Sequence, residues 1–278
     1  MASATQHNTP CMVVIDSGLG GLSVVRAMRQ LSPQHPALYV ADTAAFPYGN
    51  RSAESIIARG ISLIAALQEK HSVAQVVVAC NTLSTLALAA LRSAFPAITF
   101  VGTVPAVKVA ASQSQTGRFT LLATPNTAHS RYTRELIAQF ASDCVVDCYG
   151  APNLARMAEA HLRGERVDDA VWQAEIAPCF HDDAKGRTDQ VILGCTHYPL
   201  VADLLARHAP WPVTWIDSSM AIARQALKPP LHTTTQPPLA YVTDAEDIAR
   251  YAGLFLKEGF ADTAALSVAA EAPHAAHG

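Results

Sequence analysis

Short runs of aliphatic and β-branched residues, each closed by a polar or glycine-bearing turn and followed by a helical pattern, recur along most of this chain. CMVVID (11–16) runs through SGLGG into the amphipathic LSVVRAMRQL, and ALYVAD (37–42) passes through TAAFPYGN to a helix predicted to begin near Ser52. QVVVAC (75–80) enters NTLSTLALAALRSAF, and AITFVG (97–102) follows. A second series opens with RFTLLAT (118–124) and the helical NTAHSRYTRELIAQF. CVVDCYG then precedes a helix around 154–162, another near 170–180, the strand DQVILGC (189–195) and a helix near 200–208. PVTWID (212–217) and a helix at 244–257 complete the part predicted to be ordered. Strands alternating with helices predict an α/β fold of mainly parallel sheets wrapped by helices. The proline-rich KPPLHTTTQPP (228–238) reads as an extended loop. Residues 1–10 and 265–278 lack periodicity and are expected to be disordered.

The series contains a weak internal duplication. VIDSGLGGLSVVRAMRQ and LLATPNTAHSRYTRELIAQ are both strand–polar loop–helix units, and VVVACNTLS pairs with VILGCTHYPL, placing Cys80 and Cys195 in equivalent positions. Two similar α/β domains related by a pseudo-two-fold are therefore expected, with the active site in the cleft between them. The predicted division is 11–104 plus 216–262 for a discontinuous first domain and 105–215 for the second. In open α/β sheets ligands sit beyond the carboxyl ends of the strands, which is where both cysteines fall.

Composition narrows the classes of function. Of 278 residues, half are hydrophobic, so a substantial core is available, and 15% are charged with a net charge of -3. No Lys/Arg run stands out, so neither nucleic acid nor an anionic membrane surface is an expected partner. No apolar run is long enough to span a bilayer and the start does not read as a signal peptide; a soluble, cytoplasmic protein is expected. In that compartment the six cysteines should be reduced thiols. None forms a C-x-x-C pair, so no metal site is predicted. Cys11, Cys144 and Cys148 read as small core or strand residues.

Cys80 and Cys195 stand apart. Each ends a buried strand and precedes small polar residues, Asn81 and Thr82 in one case and Thr196 and His197 in the other. A helix N-terminus favours a thiolate, but by only about 0.3–1 kcal/mol, less than about one pKa unit. A thiol near pKa ~8.5 stays mostly protonated at neutral pH. One thiolate opposed to one thiol suits a reaction in which a proton leaves one face of a carbon and another arrives at the opposite face. The glycine-rich DSGLGG (16–21) could cradle an anion through backbone amides, although it lacks dinucleotide and P-loop spacing and equally suits a tight structural turn. Asp16 could orient an ammonium group or a neighbouring base, and His197 could share a proton with Cys195.

D-S-G-L-G-G-L-S (16–23), P-Y-G (47–49), A-C-N-T (79–82), V-P-A-V-K (104–108) and G-C-T-H-Y-P-L (194–200) together resemble the glutamate racemases, within the broader aspartate/glutamate racemase superfamily. The motifs occur in that family's order and span roughly 11–260. The resemblance implies cofactor-independent interconversion of L- and D-glutamate, supplying D-glutamate for peptidoglycan, with Cys80 and Cys195 as the acid/base pair. It implies assistance from Asp16 and His197, with Glu159 in A-P-N-L-A-R-M-A-E supporting the second side. It implies substrate contacts from Asp16, Ser17, Tyr48, Gly49, Asn81, Thr82, Thr196 and His197, and a possible homodimer. Leu83, Asn153 and Leu154 depart from the family's usual context.

Three other readings compete. A pyridoxal-phosphate enzyme would need a Schiff-base lysine, and Lys108 is the only one in a motif-like setting. A thiol- or metal-binding regulatory module could use Cys80, Cys195 and His197. A racemase of aspartate or another acidic amino acid would share the fold and change the substrate.

Overall fold

The computed structural model describes residues 9–33, 37–228 and 237–269. The segment 229–236 of the predicted proline-rich loop lies outside the described residues, as do the ends 1–8 and 270–278 of the two predicted tails. Twelve strands are described: β1 (Cys11–Asp16), β2 (Leu38–Ala41), β3 (Val73–Val78), β4 (Thr99–Val101), β5 (Arg118–Ala123), β6 (Val145–Gly150), β7 (Asp182–Asp183), β8 (Gly186–Arg187), β9 (Gln190–Gly194), β10 (Thr214–Ile216), β11 (Leu239–Val242) and β12 (Asp262–Ala265). Between them lie α1 (Leu22–Leu31), α2 (Ala53–Gln68), α3 (Asn81–Ala94), α4 (Val107–Gln113), α5 (Pro125–Ala128), α6 (Arg131–Phe140), α7 (Leu154–Leu162), α8 (Asp169–Ile176), α9 (Ala202–His208), α10 (Ser219–Ala226) and α11 (Asp247–Lys257).

Two parallel sheets organise these elements. One has the order β12-β11-β2-β1-β3-β4 and the other β10-β9-β5-β6. Within them β2-β1-β3-β4 and β6-β5-β9-β10 run in the same succession, so the duplicated segments occupy equivalent places: β1 with β5, and β3 with β9. The strands that precede the two cysteines each lie beside the strand that opens their half.

Each sheet is covered on both faces because alternate side chains of its strands point to opposite sides. Val14, Tyr39 and Val77 pack beneath α1, α10 and α11, whereas Val13, Ile15, Val76 and Val78 pack beneath α2 and α3. In the four-stranded sheet, Leu122, Val191 and Leu193 face α7, α8 and α9, and Phe119, Leu121 and Ile192 face α4 and α6. Continuous β-branched runs such as VVV in β3 are therefore buried strands rather than amphipathic ones. Ser52 caps α2 by accepting the Ser55 amide at 3.2 Å, which is the predicted helix start.

The structure adds elements that periodicity missed. α4 and α10 are short and alanine-containing, β7 and β8 form a two-residue hairpin, and β11 and β12 lie beyond the last predicted strand. The expected tail from 265 is corrected in part: Ala265 closes β12, which pairs in parallel with β11, and Leu266 is fully buried. DTAA carries no apolar alternation; its order comes from backbone pairing along β11, which composition does not report. No helix among the described residues is long and apolar enough to cross a membrane.

Candidate active site

The polar residues converge at the carboxyl ends of β1, β3, β5 and β9. Asp16, fully buried, bends back so that Oδ1 accepts the Gly18 amide at 2.9 Å, and its Oδ2 accepts the Thr196 hydroxyl at 2.8 Å from the loop after β9. The two sheets are thus stitched by a side chain from each. Ser17 Oγ lies 3.9 Å from Cys80 Sγ, and Cys80 occupies the N-cap position of α3.

On the other side, Cys195 Sγ lies 3.6 Å from His197 Nδ1, and His197 Nε2 lies 3.0 Å from Glu159 Oε1. Carboxylate oxygens only accept, so a proton on Nε2 is donated to Glu159, and the Gly20 amide nitrogen also approaches Nε2, at 3.2 Å. The same Glu159 oxygen accepts the Leu19 amide at 2.7 Å, and Oε2 accepts the Tyr251 hydroxyl at 2.9 Å and an N–H of Arg163 at 3.4 Å. Glu159 reaches this position because α7 begins where it does. The Glu175 carboxylate of α8 accepts the Asn153 and Leu154 amides at 2.8 and 3.1 Å, satisfying the start of α7 in place of a local cap. The unusual Asn153–Leu154 context therefore leaves the glutamate in place.

Protonation follows from this packing. Burial alone would lower the His197 pKa, but its contacts with Cys195 and Glu159 outweigh burial and hold it well above the ordinary value. Burial alone would raise Glu159, but bonds from His197, the Leu19 amide and Tyr251 hold it below the usual carboxylate value. The pair is an imidazolium and a carboxylate, and the imidazolium faces the Cys195 sulfur. Cys80 is pushed the other way: burial first, then the nearby charges of Asp16 and Cys195, raise its thiol far above the ordinary range. The helix N-terminus of α3, which supplies about 0.3–1 kcal/mol, is outweighed there.

DSGLGG proves to be a packing surface between the two sheets. Gly20 and Gly18 take ordinary backbone angles, so no turn demands glycine. What demands it is proximity: a Cβ on Gly20 would lie 2.4 Å from His197 Nδ1, and one on Gly18 would lie 2.0 Å from Glu159 Oε1.

Of the other predicted site residues, Asn81 heads α3 beside Cys80, and its Oδ1 is buried with no partner among the described residues. A buried acceptor left unpaired is costly, and a donor on a bound molecule would satisfy it. The Thr82 hydroxyl is already engaged with Thr124 and Thr127, at 2.9 and 3.3 Å. The Tyr48 hydroxyl donates to buried Asp42 at 2.5 Å, and a Cβ on Gly49 would lie 2.8 Å from Thr124 Cβ. The Tyr48 hydroxyl is thus engaged within the fold, which leaves the backbone of Tyr48 and Gly49 as the part that could meet a bound molecule. Among the described residues no group of three or more His, Cys, Asp or Glu side chains is arranged to hold a metal ion.

Several participants escaped the sequence reading. Phe46 stacks against His197 with ring centres 5.4 Å apart, and Tyr251, Arg163 and the Leu19 amide complete the surroundings of Glu159. Thr124 alone had a usable signal, since the duplication aligns it with Asp16.

The buried thiols carry a pH consequence. Burial raises Cys11 to about 11 and lifts Cys80 and Cys179 further, from an ordinary value of 9.0. Groups whose folded pKa lies above the unfolded one stabilise below the unfolded value, because only the unfolded chain releases their protons as pH rises. Urea midpoints are expected to be level through neutral pH and to fall progressively above about pH 9. Cys179→Ala should flatten part of that slope, and a midpoint unchanged to pH 10.5 would contradict the burial assignment.

The comparisons agree with this geometry. The family model described as Asp/Glu/Hydantoin racemase matches residues 22–226. The chain is 51% identical over 215 residues to the glutamate racemase of Agrobacterium fabrum, covering 77% of this chain and 79% of that one. It is 49% identical over 215 residues to that of Sinorhizobium fredii, covering 77% and 80%. The crystal structure of Escherichia coli glutamate racemase in complex with L-glutamate and the activator UDP-MurNAc-ala aligns with a TM-score of 0.87 at 35% identity, over 94% of this chain and 100% of that one. With twin parallel sheets, paired cysteines at matching strand ends and relatives at half identity over most of its length, the chain belongs to the Asp/Glu/hydantoin racemase family and, within it, to the glutamate racemases, which are isomerases.

Proposed function

We propose that this protein interconverts L- and D-glutamate by two-base proton transfer between Cys80 and Cys195, without a cofactor, and so supplies D-glutamate for peptidoglycan. The observation that carries the reading is the pairing of each cysteine with its own polar partners at equivalent strand ends: Ser17 and Asp16 beside Cys80, His197 and Glu159 beside Cys195. The His197 imidazolium faces the Cys195 sulfur, whereas burial and Asp16 disfavour charge on Cys80. The Cys195 thiolate takes the α-proton from one face of one enantiomer, and the Cys80 thiol gives its proton to the opposite face of the resulting carbanion. Cys80 is left as thiolate and Cys195 as thiol, the arrangement that serves the other enantiomer.

An amino-acid α-proton is very weakly acidic, so the carbanion needs donors fixed on the substrate carboxylate in a dry site. Ser17 and Asn81, with backbone amides near Tyr48, Gly49, Thr82 and Thr196, supply these, while Asp16 and the Asn81 oxygen suit the ammonium group. The proposed domains are 11–104 with 216–262, extended by β12 to 265, and 105–215, the cleft between them holding the substrate.

Circular dichroism of L-glutamate, D-glutamate and L-aspartate incubated with the purified protein tests the reading. Optical activity should vanish from either glutamate enantiomer without added pyridoxal phosphate, and persist in aspartate. Loss from aspartate alone would favour the runner-up substrate.

A further inference from the structure

We infer that Tyr251 is a positioning residue for this site: its hydroxyl fixes the Glu159 carboxylate that in turn holds His197 against the Cys195 sulfur. The inference rests on the proposed role of Cys195 and His197 and extends it to α11, a helix that none of the recognised motifs includes.

The contact set around Glu159 has an unusual origin. The residue belongs to α7, which packs on the four-stranded sheet, yet two of its four partners come from the six-stranded side: the Leu19 amide from the loop after β1, and the Tyr251 hydroxyl from α11. Oε1 is shared by Leu19 and His197, so Oε2 is the oxygen through which the carboxylate can be turned. Oε2 has Tyr251 at 2.9 Å and Arg163 at 3.4 Å, and Arg163 itself lies 3.5 Å from the Tyr251 hydroxyl. Tyr251 makes the shorter contact of the two. Its ring is held by packing against Phe255, with centres 6.1 Å apart, and the residue is 4% exposed, so the hydroxyl approaches from a fixed direction.

The consequence is that the hold on His197 beside Cys195 depends on both sheets being in register. Full coordination of Glu159 exists only while α11 and the loop after β1 lie against α7. If they part, the carboxylate loses two donors and ceases to be a good partner for the imidazolium. Charged and titratable groups around the pair are Asp16 at the end of β1, Tyr39 in β2, Arg163 just after α7, Cys195 after β9, and Tyr251 with Asp247 behind it in α11. Tyr251 contributes to holding Glu159 low, and its own hydroxyl is shifted upward by burial and by that carboxylate, so it remains a donor throughout the working range.

The test is Tyr251→Phe in the full chain, which keeps the ring and removes the donor. Relative to the parent, KM for glutamate should change little and kcat should fall about tenfold, the scale of one bond to a charged group. The acid limb of kcat/KM should move up by about one pH unit, because the carboxylate becomes easier to protonate. A merely structural tyrosine would lower the melting temperature without moving that limb. Site-specific 3-fluorotyrosine at 251, a stronger donor on an unchanged scaffold, should move the limb down, and it supplies the answer if the phenylalanine variant folds poorly. An acid limb unmoved by these replacements would overturn the inference. Glu159→Gln separates the two levels: parental rate and pH profile in that variant would sink the underlying role of Glu159, whereas impairment there with an unaltered Tyr251→Phe would sink only the tyrosine.

Discussion

Replacing either Cys80 or Cys195 by alanine is expected to lower glutamate racemisation by at least about 10³-fold, the upper range for removing a positioned acid or base. Each variant keeps one proton carrier and loses the other. Racemisation needs both, because the proton that leaves and the proton that arrives use opposite faces of the α-carbon. Enantiomers have equal free energies in water, so their kcat/KM values must fall together in any variant. The asymmetry between the two sides is therefore visible only in exchange. In deuterated solvent each single variant should wash the α-proton out of one enantiomer and leave the other untouched, and the two variants should differ in which enantiomer that is. Cys195 has an imidazolium at 3.6 Å and Cys80 has a hydroxyl at 3.9 Å, so residual exchange should be faster in Cys80→Ala, where the surviving sulfur is the one that faces a positive charge. Racemisation at the parental rate in either variant, followed by polarimetry, would end the two-base scheme.

The largest effect on stability is expected from Asp42. This carboxylate is fully buried at the end of β2 and accepts from Arg59 at 2.6 Å, from the Thr243 hydroxyl at 2.6 Å and from Tyr48. It ties three elements together: the loop that carries Tyr48 and Gly49, the helix α2, and the strand β11. Asp42→Ala removes one member of a buried ion pair and leaves the guanidinium and two hydroxyls without that acceptor. Loss of a single partner in such a pair costs about 3–5 kcal/mol, which for a chain of this size lowers Tm by about 10 °C. Removing Glu135 from its pair with Arg131 should shift Tm by less than about 1 °C, since both side chains are mostly exposed and solvent screens them. Scanning calorimetry on the two variants separates them, and equal melting temperatures would contradict a structural role for the Asp42 network. Because the loop held by Asp42 also carries Phe46 against His197, KM for glutamate should rise in the variant at temperatures where it remains folded.

The chain order of hydrophobic runs was enough to give the α/β class, the duplication, and the two cysteines at matching strand ends. Those features follow from local rules: a fully apolar strand must be buried on both faces, and a parallel strand needs a helical crossover. Asp16, Ser17, Asn81, Thr196 and His197 were legible for the same reason, lying within a few residues of those strand ends. Glu159 was legible through family resemblance alone. Nothing local marks a glutamate in the middle of α7 as special; its partners come from positions 19, 163, 197 and 251.

What only the tertiary structure decided was how the polar groups pair across the two sheets. The glycines of DSGLGG suggested a cradle for an anion or a tight turn, yet their absent side chains make room for His197 and Glu159 from the other half. Nothing in the sequence marks the Tyr48 and Thr82 hydroxyls as engaged, yet Asp42 and Thr124 take them. β12 and Leu266 looked like a tail because backbone pairing along a neighbouring strand leaves no trace in hydrophobic periodicity. Short-range order is written in the spacing of apolar residues. Contacts between residues a hundred or more positions apart depend on how two separately specified sheets meet, and that relation is set by the packed whole.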